Sequence, residues 1–341
     1  QKRKKLTAKT QAEVMNRYNE YIISAKSLNT IESDVTITSI LYLYEEDKYK
    51  KNLIQTSTYG RNKETIKMLE NGILDTLPIQ MINLSHIDNF AYTISHFSDS
   101  TISKIFTLLK KAFEIAEDKN IISKNILKNY KKTKSTKPNK KIKAFTIEEQ
   151  KEFLKLIPKS KYYYQYIIGL NTGMRMGEIN ALHYTDINLK DKTININKTI
   201  SRGDNYNDFI NSTTKTKNGT RVIPINSILY PILEKFIKDK KGKYLFSELK
   251  IISTSQVNSE MKRLTKNNNY NTHMLRHTYA TRCIEAGVQA VVLKKLLGHS
   301  DISITLNTYV DVFDKYEKQN NEIIERYLIE NIYKSDNKSD N

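Results

Sequence analysis

The sequence is poor in the residues that cross-link a fold. Its 341 residues include one cysteine, Cys283, and no tryptophan. An intramolecular disulfide is therefore impossible, and a zinc site built from several cysteines is excluded. No apolar run approaches the length of a membrane span, and no signal peptide is recognisable. These absences indicate a cytoplasmic protein that folds around hydrophobic cores.

Acidic residues are scarce relative to basic ones. The chain has 56 lysine and arginine residues against 37 aspartate and glutamate residues, a formal net charge of +19. Division after residue 143 leaves 26 basic and 15 acidic residues before the cut and 30 and 22 after it, an excess of +11 and +8. Because both parts carry the excess, a polyanionic partner is indicated, most commonly nucleic acid. A basic protein without such a partner is the alternative.

A lysine run divides the chain. Residues 131–143 contain seven lysines, one proline and no acidic residue, a composition that predicts an extended linker. We expect a helical domain at residues 30–130 and a second domain at residues 144–334. Residues 1–28 are predicted to form a basic amphipathic helix, too small for a core of its own. Residues 335–341 are a polar tail that we expect to be disordered.

The domain at residues 30–130 shows the periodicity of amphipathic helices. Helices are predicted at residues 37–49, 59–71 and 85–96, the last with Ser85 and Asp88 at a capped start. Four or five helices with short connections predict a compact bundle. An apolar stripe with spacings of three and four predicts its core: Ile102, Ile105, Phe106, Leu109, Ala112, Phe113 and Ala116.

The second domain mixes helices with short strands. Thr146 and Glu149 form a capping-box pattern, and a helix from Tyr162 ends at Gly173. From about residue 226 to 333 the chain is again helical. The predicted fold class is mainly α with a small antiparallel β-sheet.

The strands of that sheet are predicted from alternation and from a turn. Residues 193–200 alternate apolar and polar side chains as a strand does. Residues 206–217 and 220–225 flank Asn218-Gly219, a strong two-residue hairpin signal. The pattern predicts that these two segments pair with each other.

The stretch from Asn271 to Thr281 is the first candidate for a functional site. Thr272 is a candidate N-cap, which would place His273 and Arg276 on one face of the first helical turn. The unpaired N–H groups of such a helix end attract anions such as phosphate. A helix end with one solvated arginine and two incidental histidines, His273 and His277, is the alternative.

Three further stretches accompany it. Arg175 follows a glycine helix stop, and Lys215 leads into the Asn-Gly turn. His299 stands at a helix-breaking glycine, and Tyr309 comes ten residues later.

Together these stretches resemble the tyrosine recombinases, specifically the integrases of phages and conjugative transposons. The matching pieces follow the order of that family between residues 172 and 310: Thr-Gly-Met-Arg-Met-Gly-Glu-Ile, Lys-Thr-Lys-Asn-Gly-Thr-Arg-Val-Ile-Pro, His-Met-Leu-Arg-His-Thr, Leu-Leu-Gly-His-Ser and Asn-Thr-Tyr-Val. The resemblance implies that residues 30–130 are a helical core-binding domain and residues 144–334 an α+β catalytic domain with a C-terminal helix. It also implies that residues 1–28 are the remnant of an arm-binding domain, and we expect a segment before Gln1 to be missing.

The resemblance implies site-specific DNA recombination through a 3′-phosphotyrosyl intermediate, with integration or excision of a mobile element. No metal, ATP or other cofactor is expected. Arg175 and Arg276 would clamp the scissile phosphate, because guanidinium groups stay charged and offer forked donors. Tyr309 would be the nucleophile, with Tyr316 as the alternative. An Xer-type chromosome-dimer recombinase, a type IB topoisomerase and a non-catalytic DNA-binding protein of the same fold remain alternatives.

Proton transfer falls to other residues in this scheme. Lys215 would protonate the leaving 5′-oxygen, with Lys217 on the same strand face as the alternative. His273 would assist proton transfer at the tyrosine, and His299 would hydrogen-bond the phosphate. His277 would be structural.

The roles of two acidic residues and a competing metal-site interpretation are not decided by the sequence. Glu178 and Asp186 either orient the arginine helix or lie on the surface. His273 and His277 have the spacing of two zinc ligands on a helix, but the zinc-protease pattern requires a glutamate where Met274 stands.

The partners follow from the resemblance. We expect double-stranded DNA attachment sites, a homotetramer on DNA, and in some reactions an excisionase and a host DNA-bending protein. The protein would be associated with the nucleoid. An apolar segment after Tyr309 would dock on a neighbouring protomer, and packing on its own domain is the alternative: Ile323, Ile324, Tyr327, Leu328, Ile329, Ile332 and Tyr333.

Overall fold

The chain forms two compact units, Gln1–Lys140 and Lys141–Asn341. Within the described residues, no helix is long and apolar enough to cross a membrane. The predicted basic helix at residues 1–28 and the polar tail at residues 335–341 lie outside the description. The computed structural model describes residues 35–70, 72–138, 144–202, 208–211, 219–238, 243–246 and 251–333.

The first unit is a helical bundle. A single apolar core joins its helices, and all seven residues of the predicted apolar stripe are buried in it. The expected compact bundle therefore exists in the part of the unit that the structure describes. Its elements are α1 (Ile37–Lys50), α2 (Thr56–Lys67), α3 (Ile73–Thr76), a 3-10 turn (Ile79–Met81), α4 (Leu84–Thr93) and α5 (Asp99–Asp118).

The start of α4 corrects a prediction. Asn83 caps the helix, because its Oδ1 accepts the N–H of His86 at 3.1 Å while His86 Nδ1 accepts the N–H of Asn83 at 3.3 Å. Ser85 and Asp88 were expected at the capped start and instead lie inside the helix. A cap must stand just before the first turn, where the N–H groups lack helical partners, and asparagine fills that place as well as serine does.

The first part of the lysine-rich segment is fastened to the helical unit. Residues 131–138 form neither helix nor strand. The N–H of Thr136 donates to Ser95 O at 2.9 Å, and the N–H of Ser135 donates to Asp99 Oδ1 at 3.0 Å. This stretch is therefore held against the end of α4 and the start of α5. Residues 139–143 lie outside the description.

In the second unit, helices come before and after a group of short strands along the chain. The capping box of Thr146 and Glu149 at the start of α6 is confirmed. The helices are α6 (Ile147–Leu156), α7 (Tyr163–Thr172), α8 (Met176–Asn180), α9 (Leu229–Ile237), α10 (Thr254–Thr265), α11 (His273–Glu285), α12 (Ala290–Leu297) and α13 (Ile302–Leu328), with 3-10 turns at Ile157–Lys159 and Tyr184–Asp186 and a π turn at Ile329–Tyr333.

Among the described residues, two small antiparallel sheets stand where the sequence predicts one. β1 (Ile187–Asn188), β2 (Thr193–Ile196) and β5 (Arg221–Pro224) form a sheet in the order β1-β2-β5. β3 (Thr199–Arg202) pairs with β4 (Asp208–Asn211). The strand predicted at residues 193–200 is therefore two strands in different sheets.

The hairpin predicted across Asn218-Gly219 stays a prediction, because residues 212–218 on one side of the turn lie outside the description. β4 pairs with β3 and β5 pairs with β2, so the two segments that flank the turn do not pair with each other among the described residues. Pairing of the described strands is decided by which neighbour buries the apolar face of each strand. Ile223 of β5 lies opposite Ile194 of β2, and both are buried in the core of this unit.

Helix α7 is the central element of this unit. Its residues from Gln165 to Leu170 are all buried, and it packs along α11. Gly169 permits this approach, because a Cβ at that position would lie 3.1 Å from Leu275 Cδ1. The C-terminal end of α7 is thereby held beside the first turns of α11, where the chemically active side chains of the sequence gather.

Candidate active site

Arg175 is positioned by a glycine stop. Gly173 ends α7 with φ 65°, and a Cβ there would collide with the ring of Tyr279 and with Leu297. Arg175 is the N-cap of α8, and its N–H donates to Glu178 Oε2 at 2.9 Å. Its Nη1 donates to Glu178 Oε1 at 2.9 Å, while 45 % of the side chain remains exposed. The guanidinium is oriented but still open to a ligand.

Glu178 is buried between two arginines. The side chain is 3 % exposed, and Arg221 forks onto it with Nη2 donating to Oε2 at 2.8 Å and Nη1 donating to Oε1 at 3.2 Å. Burial alone would raise the pKa of Glu178, but the charges of Arg221 and Arg175 outweigh it and hold the pKa below its usual value. Glu178 is therefore a fixed anion that orients Arg175.

Arg276 is the most deeply placed cation. It is 2 % exposed, with Nη1 donating to Gly173 O at 2.9 Å and Nη2 donating to Leu297 O at 2.7 Å. These bonds use two of its five N–H donors. Burial, followed by the charge of Arg175, lowers the pKa of Arg276 to about 9, which leaves it protonated at neutral pH.

The C-terminal end of α12 holds both buried arginines. Leu297 O accepts from Arg276, and Leu296 O accepts from Arg221 Nε at 2.8 Å. The last carbonyls of a helix lack helical partners and carry partial negative charge, so they suit guanidinium groups. This helix end therefore fixes the relative position of two cations that come from β5 and from α11.

His299 follows directly on α12. Gly298 ends the helix with φ 67°, and the N–H of His299 donates to Lys294 O at 3.1 Å. The ring Nδ1 lies 2.8 Å from Oγ1 of Thr305, in the first turn of α13. Desolvation and then the surrounding arginine charges lower the pKa of His299 to about 4. The imidazole is therefore neutral at pH 7.

The start of α11 is not the anion site that the sequence predicts. Thr272 precedes the helix as expected, but its side chain makes no capping bond. The N–H of His273 donates to Asn271 Oδ1 at 3.0 Å, and the N–H of Met274 donates to Asn271 O at 3.0 Å. Because these N–H groups already have partners, they are not available to an anion.

Two histidines form an edge-to-face pair on α11. The ring centroids of His273 and His277 are 4.7 Å apart with an interplanar angle of 89°. Desolvation, then His277 and the nearby arginines, lowers the pKa of His273 to about 4. Its ring is neutral at pH 7 and able to accept a proton. His277 is buried, and its ring centroid lies 5.6 Å from that of Tyr309.

Tyr309 interrupts α13 and packs on its own chain. Its backbone is non-helical, with φ −120° and ψ 18°, and the residue is 4 % exposed. The side chain lies in an apolar cluster with Ala280 and Ile284 of α11 and Leu293 of α12. Desolvation raises the pKa of Tyr309 to about 12, although the charge of Arg276 opposes this. The hydroxyl is protonated at neutral pH and needs a base to become a nucleophile.

Five of the six predicted catalytic residues therefore gather around one point. The arginines influence the titration of His273, His299 and, through Arg276, Tyr309, which places the charges within electrostatic reach of one another. A partly exposed guanidinium group, a buried one, two neutral imidazoles and a protonated phenol can bind an oxyanion and move a proton beside it.

The remaining predicted residues divide clearly. Lys215 and Lys217 lie outside the described residues, as does the side chain of Tyr316. Asp186 does not reach the arginines, because it pairs with Lys198 and accepts the N–H of His183. No group of three or more histidine, cysteine, aspartate or glutamate side chains within the described ranges could hold a metal ion.

Comparison with known proteins identifies the family of the chain. Residues 143–316, just over half of the chain, match the phage integrase family. The chain belongs to that family. This phage integrase family member is 28 % identical to the tyrosine recombinase XerC-like protein of Caldanaerobacter subterraneus subsp. tengcongensis, over 92 % of this chain and 89 % of that protein. It is 27 % identical to the ICEBs1 integrase of Bacillus subtilis, over 83 % of this chain and 80 % of the relative.

Solved structures share the architecture. The Tn1549 transposon integrase in complex with transposon right end DNA superposes with a TM-score of 0.69 and 25 % identity, covering 80 % of this chain and 94 % of that one. A lambda integrase tetramer bound to a Holliday junction gives a TM-score of 0.59 at 17 % identity, with 86 % and 89 % covered. The mainly helical fold with small antiparallel sheets is thus confirmed as that of the family.

Sequence reasoning missed two residues of the site. Arg221 was part of a matched motif but received no role, since its partners Glu178 and Leu296 are distant along the chain. Thr305 received none because a threonine in a helix is an ordinary residue. A signal for Thr305 did exist, because it stands one helical turn before Tyr309 and six residues after His299.

Proposed function

We propose that this phage integrase family member is a site-specific DNA recombinase that cleaves and rejoins strands through Tyr309. The observation that carries the proposal is the arrangement of Arg175 and Arg276 around two neutral histidines and a protonated tyrosine. A phosphodiester gains negative charge on its non-bridging oxygens in the transition state, and a pair of fixed guanidinium groups stabilises that charge. Membership of the family supports the same conclusion.

Each side chain has a step in the reaction. Tyr309 Oη forms a bond to the scissile phosphorus as the bond to the 5′-oxygen breaks, which leaves a 3′-phosphotyrosyl link. His273 is neutral and takes part in removing the phenolic proton of Tyr309 as a proton acceptor. The ring of His277 contacts the rings of both His273 and Tyr309. Lys215 would give a proton to the leaving 5′-oxygen; Lys217 is the alternative. The reverse sequence, with a new 5′-hydroxyl as nucleophile, rejoins the strand.

Arg276 and Arg175 divide the work of the clamp. Arg276 is anchored by two carbonyls and has three N–H donors left, so it forms a rigid floor for the phosphate. Arg175 is oriented by Glu178 and remains 45 % exposed, so it can close over a non-bridging oxygen. His299 adds a neutral donor from the end of α12.

The partners are DNA and further copies of the chain. We infer double-stranded attachment sites, with affinity supplied mainly by phosphate contacts of a chain that carries a net charge of +19. The helical unit would act as the core-binding domain, and the enzyme would work on DNA in the nucleoid. An excisionase and a host DNA-bending protein are further inferred partners. Recombination joins four strands, so the active assembly would be a tetramer.

The end of α13 supports the assembly. Ile323, Ile324 and Tyr327 are 59 %, 56 % and 62 % exposed, and Tyr333 is 71 % exposed. Isolated chains rarely leave such a row of apolar side chains uncovered. Docking on a neighbouring protomer would bury it, as the sequence suggests.

The relatives favour a mobile element over chromosome maintenance. Two of them are named for elements that move, the ICEBs1 integrase and the Tn916 transposase of Enterococcus faecalis, which is 27 % identical over 80 % of this chain and 73 % of the relative. An Xer-type enzyme remains the second candidate, favoured by the XerC-like relative.

The test is a nicked suicide substrate, which releases the leaving strand and traps the covalent complex. We expect the wild-type protein to form an adduct in the presence of EDTA, and Tyr309→Phe to bind DNA without forming one. Tyr92→Phe, at a tyrosine of α4 that is 82 % exposed, is the control and should react normally. An adduct that persists in Tyr309→Phe would overturn the assignment, and complete loss with EDTA would favour a metal mechanism.

A further inference from the structure

Thr305 is a buried polar side chain at the edge of the site. Its residue has 0 % exposure, and its Oγ1 lies 2.8 Å from Nδ1 of His299. Burying a hydroxyl is costly unless it is hydrogen-bonded. Thr308 on the same helix donates its hydroxyl to the carbonyl of Ile304, one turn earlier. The hydroxyl of Thr305 is instead hydrogen-bonded to the ring of His299.

His299 is held from two different helices. Its backbone belongs to the cap of α12, where its N–H donates to Lys294 O. Its side chain is held by Thr305 of α13, the helix that also carries Tyr309 four residues later. The bond to Thr305 therefore sets the rotation of the ring and ties it to the helix of the nucleophile.

The same bond selects a tautomer. A neutral imidazole has one N–H donor and one acceptor nitrogen. The groups that face His299 are cations, namely Arg276, Arg175 and Arg221, together with His273, and they disfavour a second proton on the ring. If Nδ1 accepts the hydroxyl proton of Thr305, the ring proton must be on Nε2. The opposite tautomer would turn a lone pair toward the phosphate oxygens and repel them.

We propose that Thr305 is a positioning residue that donates to Nδ1 of His299 and so presents Nε2–H to the scissile phosphate. This inference rests on the proposed function. Thr305 does not touch DNA itself. Its effect on cleavage passes through His299, which distinguishes it from a residue that only fills space in the core.

Isosteric variants separate the hydroxyl from the methyl group. Thr305→Val keeps the shape and removes the hydrogen bond, and Thr305→Ser keeps the hydroxyl and removes a methyl group. We expect single-turnover cleavage by Thr305→Val to be slower by roughly tenfold, the size of one lost orienting hydrogen bond. Thr305→Ser should restore most of the rate. Thr308→Val, on the same helix, is the matched control and should cleave like the wild type.

A double-mutant cycle tests whether Thr305 acts through His299. In a His299→Ala background, Thr305→Val should slow cleavage by less than about twofold, because the bond is already absent. An undiminished tenfold loss in that background would show a separate structural role and overturn the proposal. Wild-type rates in Thr305→Val, or equal defects in the Val and Ser variants, would also overturn it.

A spectroscopic measurement on the free protein is independent of cleavage. The ¹⁵N shifts of His299 should show a protonated Nε2 and an unprotonated Nδ1 in the wild type and in Thr305→Ser, and a mixture of tautomers in Thr305→Val. A protonated Nδ1 in the wild type would refute the proposal. A wild-type protein that showed the expected tautomer but formed no DNA adduct would contradict the proposed function and leave the role of Thr305 in orienting His299 supported.

Discussion

Helices α5 and α11 are both central to their units, yet they bury opposite kinds of side chain. The buried face of α5 is entirely apolar, from Ile102 to Ala116. The buried residues of α11 include Arg276, His277 and Thr278 among apolar ones. An apolar face stabilises the fold through its removal from water, whereas a buried guanidinium costs free energy unless it is fully paired. The contrast separates a helix that holds its unit together from one that, under the proposed function, carries catalytic side chains.

The pairing in the second unit offsets that cost. Arg276 is bound by two carbonyls, and Glu178 is shared by Arg175 and Arg221. The cations therefore keep fixed positions before any DNA arrives, which is what electrostatic stabilisation of a transition state requires. Changes in α5 should alter stability, and changes around α11 should alter the reaction.

Arg175→Lys gives the largest expected effect on the reaction. A lysine cannot make the forked contact to a phosphate, and loss of one transition-state donor typically slows a reaction by about 10²–10³. DNA affinity and thermal stability should change little, because the side chain is 45 % exposed. Single-turnover cleavage of a suicide substrate measures the rate. Arg263→Lys is the control, since Arg263 also pairs with a glutamate three residues away but lies on the surface of α10; cleavage by Arg175→Lys at the rate of that control would remove Arg175 from the clamp.

Phe113→Ala makes the corresponding test of α5. Removing this buried ring should lower the free energy of unfolding of the first unit by about 3–5 kcal/mol. The molecules that remain folded should still cleave DNA at the wild-type rate. Urea denaturation followed by circular dichroism measures the loss. Lys104→Ala, exposed on the same helix, should lose far less, and equal losses in the two variants would show that the apolar stripe is not the core of that unit.

Arg221→Met should affect both properties. It leaves Glu178 buried with only Arg175 as partner, and breaking a buried ion pair from one side costs about 3 kcal/mol. The double variant with Glu178→Gln removes the stranded charge and should recover part of that stability, but not the cleavage rate, because Arg175 would still lack its anionic guide. Thermal melting and single-turnover cleavage measure the two effects. Additive stability losses would contradict the pairing.

Acid should lower the stability of the second unit, and the direction of this change follows from the histidines. The pKa values of His273 and His299 are lowered to about 4, so below about pH 6.5 the unfolded chain takes up protons that the folded site refuses. Their contribution to stability is present above pH 6.5 and is lost as the pH falls toward 4. Comparison of melting temperatures with those of the His273→Ala/His299→Ala variant isolates it from carboxylate titration. An identical pH dependence in both proteins would refute the shifts.

The core around α5 and the site around α11 also differ in how well the sequence predicts them. The core of α5 followed from helical periodicity alone, because burial there depends on neighbours three and four residues apart. Five side chains of the site came together as the family resemblance implied. The pairing of β4 with β3 was missed, because alternation along one segment does not show which strands become neighbours in a sheet.

The contacts of Arg221 could not have been predicted from spacing, and the spacing of Thr305 to His299 and Tyr309 did not show which side chain it contacts. Arg221 binds Glu178, 43 residues away, and the end of α12, 75 residues away. Thr305 meets His299 only because a glycine cap turns the chain between two helices. Local propensity carries no information about such contacts, since tertiary packing alone decides them.

Mapping the covalent adduct tests the central claim most directly. Trypsin should release residues 296–315, in which Tyr309 is the only tyrosine, and should place Tyr316 in the next peptide because Lys315 precedes it. After trapping on a suicide substrate, nuclease digestion and mass spectrometry, we expect the nucleotide-phosphate adduct on the peptide 296–315. An adduct on the peptide that begins at Tyr316, or on any peptide without Tyr309, would contradict the account of the active site.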